Sequence, residues 1–282
     1  MIRFGPSGNS VRFYDEGHKS SVDAPEWIHN QGLNAYEYSF GKGINISDAK
    51  ANEIGAMGKQ YDVAISVHAP YYINFANPSD EMAAKSYNYV LNSCKKVREF
   101  YGNRVIFHAS TVGRMTRYDA VELTKKRLKT LAEMIIANNM DDCLFCPETM
   151  GRINQIGDTE EIVEFCKIAD FYIPTIDFGH LNARTYGSLK TADDYEAIVS
   201  HIINNLGFER ASKMHVHFSK IEYSKGGEVR HLTFEDTVFG PEFEPLAQVI
   251  RKHNLQPVII CESNGTQADD AIEMKRIYSS IN

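Results

Sequence analysis

The chain has no run of about 18 apolar residues, so nothing in it reads as a membrane-spanning helix. Its first residues, MIRFGPSGNS, lack the basic and apolar stretches of a secretory leader, which makes a soluble cytoplasmic protein the expectation. Cysteine is scarce, five in all, and the odd number argues against a disulfide scaffold. Cys143 and Cys146 form a lone C-x-x-C with no second pair at zinc-finger spacing, and they read as strand packing. A basic balance is also missing: the formal charge of −7 gives no global field for nucleic acid. Local basic groups or bound cations could still supply positive charge to an anionic substrate. No internal repeat, low-complexity stretch or linker marks a boundary, so residues 1–282 are expected to form one domain.

What is present is a steady alternation. Apolar or β-branched runs recur near 2–4, 33–38, 63–68, 104–108, 143–148, 173–177, 214–218 and 257–262. Segments of helical periodicity separate them: 47–61, 80–101, 117–139, 159–169, 191–207, 241–254 and 266–281. Ser47, Ser79, Asp158 or Thr159, and Thr191 stand where N-caps belong, and Pro241 suits a first helical turn. Eight strands, nearly all followed by a helix, predict an α/β fold of the (β/α)8 TIM-barrel type. An open doubly wound sheet is the other arrangement of such units, but it would not bring the ends of strands three to eight to one place. The barrel does, at the C-terminal mouth of its strands.

Those strand ends carry the chemistry. Six runs finish in histidine or a carboxylate: AISVHAP at His68, RVIFHAS at His108, LFCPETM at Glu148, PTIDFGH at Asp177 and His180, KMHVHFS at His215, and PVIICES at Glu262. These residue types bind divalent cations through nitrogen or oxygen. A carboxylate closing an apolar strand would be costly to bury unpaired, and a cation removes that cost. One such residue means little, whereas six at the same end of successive strands predict a polynuclear metal centre. Of the ten histidines, His18, His29, His201 and His253 have ordinary surface readings. His215 and His217 are two apart on one strand and point the same way, so only one need be a ligand. The longest stretch without helical pattern, residues 219–240, contains His231 and is long enough to fold back over the mouth.

With these residues in place, the chain resembles the endonuclease IV family of apurinic/apyrimidinic endonucleases, within the xylose isomerase-like barrel superfamily. The motifs are HAPYYINFANP (68–78), VIFHAS (105–110), PETMG (147–151), IDFGHLNARTYG (176–187), MHVHFSK (214–220), RH (230–231) and CES (261–263). The resemblance implies up to three zinc ions, with manganese possible at some sites. His68, His108 and Glu148 would hold the first; Glu148 would bridge to a second, bound also by Asp177, His215 and Glu262. His180 and His231 would hold the third, with an aspartate two positions earlier, where this chain has Val229. Glu228, Glu235 or Asp236 are the carboxylates nearby that could replace it.

The same resemblance implies damaged duplex DNA as substrate, a monomer, and incision 5′ to an abasic site that leaves a 3′-hydroxyl, with Glu148 helping to hold the attacking hydroxide. Tyr71, Tyr72 and Ile73 would wedge into the duplex, and Arg152, Arg184 and Lys220 would contact phosphates. Two loops depart from the pattern. The second-strand loop, YEYSFGKGINI, has Lys42 as its one cation, and Gly151, Arg152 and Ile153 replace a Gly-Gln-Gly. The rival reading is a divalent-metal sugar isomerase or epimerase of the same superfamily, using Glu148, Asp177, His215 and Glu262 around one ion, with the two glutamates exchanging a proton beside a carbonyl.

Overall fold

In the computed structural model, which describes residues 1–281, the eight expected strands are present and parallel. They are β1 (Arg3–Pro6), β2 (Ala35–Ser39), β3 (Ala64–His68), β4 (Arg104–Phe107), β5 (Leu144–Pro147), β6 (Thr175–Asp177), β7 (His215–Phe218) and β8 (Val258–Cys261). Continuous pairing runs from β2 to β5 and from β6 through β7 and β8 to β1. Parallel bridges Ser7–Glu37 and Glu148–Thr175 join the two runs and close the barrel. Strands in such a barrel are covered on both sides, which is why they read as short apolar runs rather than as alternating ones.

The helices that cover them begin where the capping residues stand. Ser47 and Ser79 accept from the third backbone N–H of their helices, and Asp158 makes a reciprocal capping box with Glu161. Thr191 and Asp194 form the same box for Ala192–Leu206. Pro241 lies outside its helix, which starts at Phe243 with Glu242 as N-cap.

Two elements at the mouth go beyond the strand–helix alternation. A short helix, Phe178–Arg184, follows β6 directly, its first turn capped by Asp177. Within the long stretch after β7, Ile221–Ser224 and Gly227–His231 form an antiparallel hairpin.

Parallel register sorts the interior into layers. Asp177 pairs with His217, Ser39 with His68, and Glu37 with Ser66, while His215 pairs with Thr175. His215 therefore lies two residues, roughly 6.6 Å, deeper than His217. The barrel is also tight between β1 and β2: a Cβ on Gly5 would sit 1.7 Å from the Ala35 carbonyl oxygen, a backbone atom that cannot swing aside. Gly5→Ala is expected to lower the unfolding free energy by about 3 kcal/mol or more, read from the denaturant midpoint; an unchanged midpoint would mean that the strands are not in this contact.

Candidate metal centre at the mouth of the barrel

Histidines and carboxylates from the C-terminal ends of six strands and from two connecting segments meet at this mouth in three adjoining groups, each with ligand atoms within 4.8 Å of one another: His68, His108 and Glu148; Glu148, Asp177, His217 and Glu262; His180, Glu228 and His231. Glu148 belongs to two of them. Its Oε2 lies 3.0 Å from His68 Nε2 and 3.1 Å from His108 Nε2, and its Oε1 lies 2.9 Å from His217 Nδ1. The groups line a cleft of about 410 Å³. A larger depression, about 580 Å³ between helices Ala192–Leu206 and Phe243–Lys252, contains no histidine.

The rings are held from behind. His68 Nδ1 is 2.9 Å from the Ala69 carbonyl and His180 Nδ1 is 2.9 Å from the Thr149 carbonyl. A carbonyl only accepts, so each Nδ1 carries the proton and each Nε2 lone pair is left for the mouth. The Ser219 hydroxyl lies 2.8 Å from His231 Nδ1 and fixes the position of that ring. Outer partners of this kind are what orient imidazole ligands.

The electrostatics favour positive charge. Burial alone would raise the Glu148 pKa, but the His217 and His108 imidazoles hold it well below the usual carboxylate range. Burial pushes Asp177 up to about 6 against the pull of His180. His68 and His180 are driven down by burial, yet the hydrogen bond that His68 donates to Glu148 in one case and the Asp177 charge in the other raise both to about 9. Asp177 Oδ2 is buried with no hydrogen-bond partner. Nitrogen and carboxylate donors, histidines oriented from behind and an unsatisfied buried oxygen together fit divalent cations, which would displace the protons these groups otherwise attract.

Several expectations are corrected. His217, not His215, joins Glu148, Asp177 and Glu262, because the β6–β7 register sets His217 level with Asp177. His215 instead lies 3.0 Å from Glu37, where burial lowers its pKa to about 4. Lys220 is buried, donating to the Asp236 carbonyl at 2.7 Å and pairing with Glu242 at 2.8 Å. The Arg184 guanidinium is turned onto the carbonyls of Met150, Arg152 and Gln155, so it braces the loop after β5. Ile73 is buried and cannot wedge into a duplex, whereas Tyr71 and Tyr72 are 47% and 50% exposed, ring centroids 5.0 Å apart. Arg152 is exposed and lines the cleft.

Val229 is resolved by a bulge. The hairpin pairs Glu222 with Arg230 but Tyr223 with Glu228, so Val229 has no opposite residue and is exposed. Residues 228 and 231 would face opposite sides of a regular strand; the extra residue puts Glu228 on the His231 side, with Oε2 3.5 Å from His180 Nε2. Glycines permit the approach: a Cβ on Gly151 would sit 2.6 Å from Glu228 Cβ, and one on Gly227, at φ +88°, 2.2 Å from the Gly151 carbonyl. Asp236 is spent on the amides of Val238 and Phe239. Glu37, buried at the centre of β2, had not been singled out; a charged residue inside the apolar run NAYEYSF was the available signal. Val229→Asp is expected to leave zinc affinity unchanged in a competition titration, while Glu228→Gln weakens one equivalent. The reverse pattern would overturn the bulge assignment.

Among known proteins, a model described as a xylose isomerase-like TIM barrel matches residues 25–278. An uncharacterized protein of Methanocaldococcus jannaschii is 28% identical over 275 residues, 98% of this chain and 96% of that one. A probable endonuclease 4 of Acholeplasma laidlawii is 25% identical over 185 residues, 63% of this chain and 61% of that one. Of solved structures, endonuclease IV from Thermus thermophilus superposes with a TM-score of 0.68 at 17% identity, covering 99% of this chain and 98% of that one. The 3-keto-D-glucoside 4-epimerase of E. coli gives 0.70 at 12% identity, with 100% of both chains covered. At such identities these two structures show the fold alone.

Proposed function

The chain belongs to the xylose isomerase-like TIM barrel family, and within it we propose that this protein is a zinc-dependent endonuclease of the endonuclease IV type that cuts the phosphodiester 5′ to abasic sites in duplex DNA. The observation that carries this reading is the number of adjoining groups. A proton transfer beside a sugar carbonyl needs one cation and the four residues Glu148, Asp177, His217 and Glu262. Here His68 and His108 extend that ring on one side, and His180, Glu228 and His231 adjoin it on the other. The local match to a probable endonuclease 4 supports the same reading.

Cations bound among these carboxylates supply a bound water of lowered pKa and positive charge against the oxygens of a phosphodiester. The chain's own residues do the rest. Glu148, with no solvent exposure and its two oxygens facing separate groups, would be the ligand shared between them. His68 and His180 present Nε2 because carbonyls hold the other nitrogen. Arg152, whose guanidinium makes no ion pair among the described residues, offers the rim a phosphate contact. Tyr71 and Tyr72 give an exposed aromatic pair beside the cleft against which an unstacked nucleotide can rest. Acidic character elsewhere does not oppose this, because the cations themselves carry the positive charge to the scissile phosphate.

One observation favours the epimerase reading: the four-residue ring is complete by itself, and two of its members are glutamates. Incision of a duplex oligonucleotide with a single abasic-site analogue separates the two. Cleavage directly 5′ to the analogue, lost after prolonged chelation and restored by zinc, is the expected result. No cleavage by cation-replete protein, with turnover of a ketose instead, would overturn the endonuclease. Glu148→Gln should lower kcat by more than the 10–100-fold typical of an outer partner while retaining the fold by circular dichroism; near-normal turnover would remove Glu148 from the bridging role.

A further inference from the structure

Beneath the mouth lies a second layer, Glu37, His215 and His217, that shares only His217 with the three groups. Glu37 on β2 has no solvent exposure, nor do His215 and His217 on β7. Glu37 Oε1 lies 3.0 Å from His217 Nε2, and Oε2 lies 3.0 Å from His215 Nε2. Ser66 on β3 donates its hydroxyl to the same Oε2 at 3.0 Å. Both ring nitrogens approach off the line of a full hydrogen bond, so the contacts are closed in distance and open in angle. No arginine or lysine neutralises this carboxylate: the coulombic and hydrogen-bonding groups that lower its pKa against burial are the two imidazoles.

From this layer we infer that Glu37 is a positioning residue for the metal centre: it holds the proton of His217 on Nε2 and thereby turns the Nδ1 lone pair toward Glu148, Asp177 and Glu262. The inference rests on the cation-binding reading above and deepens it. A neutral imidazole carries one proton, and a nitrogen that binds a cation cannot be the one that bears it. His217 Nδ1 is 2.9 Å from Glu148 Oε1 and 3.5 Å from Glu262 Oε2. With Nδ1 committed to that side, Nε2–H must point down, and Glu37 is the acceptor there. His68 and His180 achieve the opposite tautomer with carbonyls behind Nδ1; His217 is reversed, and its rear partner is a carboxylate. A carboxylate makes the imidazole a stronger donor to a cation than a carbonyl does.

His215 has a different part. It lies one layer too deep to reach the mouth, and its Nε2 stands 3.0 Å from Glu37 Oε2, a contact that helps to keep the carboxylate in place. One hydrogen bond, from Ser66, and two close imidazole nitrogens, of His215 and His217, thus converge on two oxygens. Glutamine at this position has one acceptor oxygen, and its amide must face at least one of those groups with N–H groups of its own.

The test compares Glu37→Gln and His215→Gln with the wild-type chain. Zinc affinity is measured by chelator competition, and the visible spectrum is recorded after substitution with cobalt(II). Glu37→Gln is expected to keep the full cation count at saturation, to weaken one equivalent by about 10–100-fold, and to shift the cobalt bands. His215→Gln should keep the count and the affinity within about tenfold. Wild-type affinity and spectrum in Glu37→Gln would overturn the inference while leaving the metal centre intact. Loss of a whole equivalent in either variant would also overturn it, making that residue a ligand rather than a positioning group. Should Glu37→Gln fail to fold in apo thermal unfolding, Glu37→Asp is measured in the same way: shifted cobalt bands at full count are expected, and wild-type bands and affinity would overturn the inference. A wild-type chain that binds no cation would refute the endonuclease reading itself, and this inference with it.

Discussion

Burying an ionised carboxylate is tolerable only where opposite charge or several hydrogen bonds meet it, and this barrel buries three at one end, Glu37, Glu148 and Asp177, each with no solvent exposure. Much of the architecture around the mouth answers that constraint. Six imidazoles are set against these groups and against Glu228 and Glu262, and no lysine or arginine replaces them. A lysine would neutralise one carboxylate and end the matter. Imidazoles leave lone pairs that can be handed to cations, so the same arrangement that makes the charge bearable also makes it usable.

The backbone sets which group meets which. Parallel register puts Asp177 and His217 at one height, with Glu37, Ser66 and His215 in contact just below. The chain leaves β6 directly into Phe178–Arg184, whose first turn carries His180 back over Asp177. The hairpin Ile221–His231 then lies across this turn, pinned where Gly227 and Gly151 come into backbone contact. Its bulge selects Glu228 over Val229. Arg184 and Lys220, which in sequence looked like phosphate contacts, are the braces of these loops instead, since their charges are taken by carbonyls and by Glu242.

The barrel was legible because six of the eight strands end in histidine or a carboxylate and several helices open on a capping side chain. Strand identity therefore survived errors of a residue or two at the boundaries. His68, His108, Glu148, Asp177, His180 and Glu262 come from those endings and His231 from the long stretch after β7, and the structure brings them together. What was hidden depends on relations between segments. Whether His215 or His217 faces the mouth is decided by the register of β7 on β6, which spacing alone leaves open because both point inward. Val229 stands at the position where an aspartate was expected, and only the unpaired bulge opposite Tyr223 and Glu222 reveals that Glu228 is the carboxylate set beside His180. Glu37 is hidden in the sequence because its strand ends in Ser39, a residue without ligand chemistry of this kind, while the charge sits two positions deeper.

The central claim is that cations occupy several adjoining sites that share Glu148. Anomalous diffraction at the zinc edge, on crystals of protein loaded with zinc, tests it most directly. Three peaks are expected: beside His68 and His108, among Glu148, Asp177, His217 and Glu262, and between His180, Glu228 and His231. A single peak within the four-residue ring would contradict the polynuclear account and point to the one-ion chemistry of an epimerase. No peak at the mouth would contradict both.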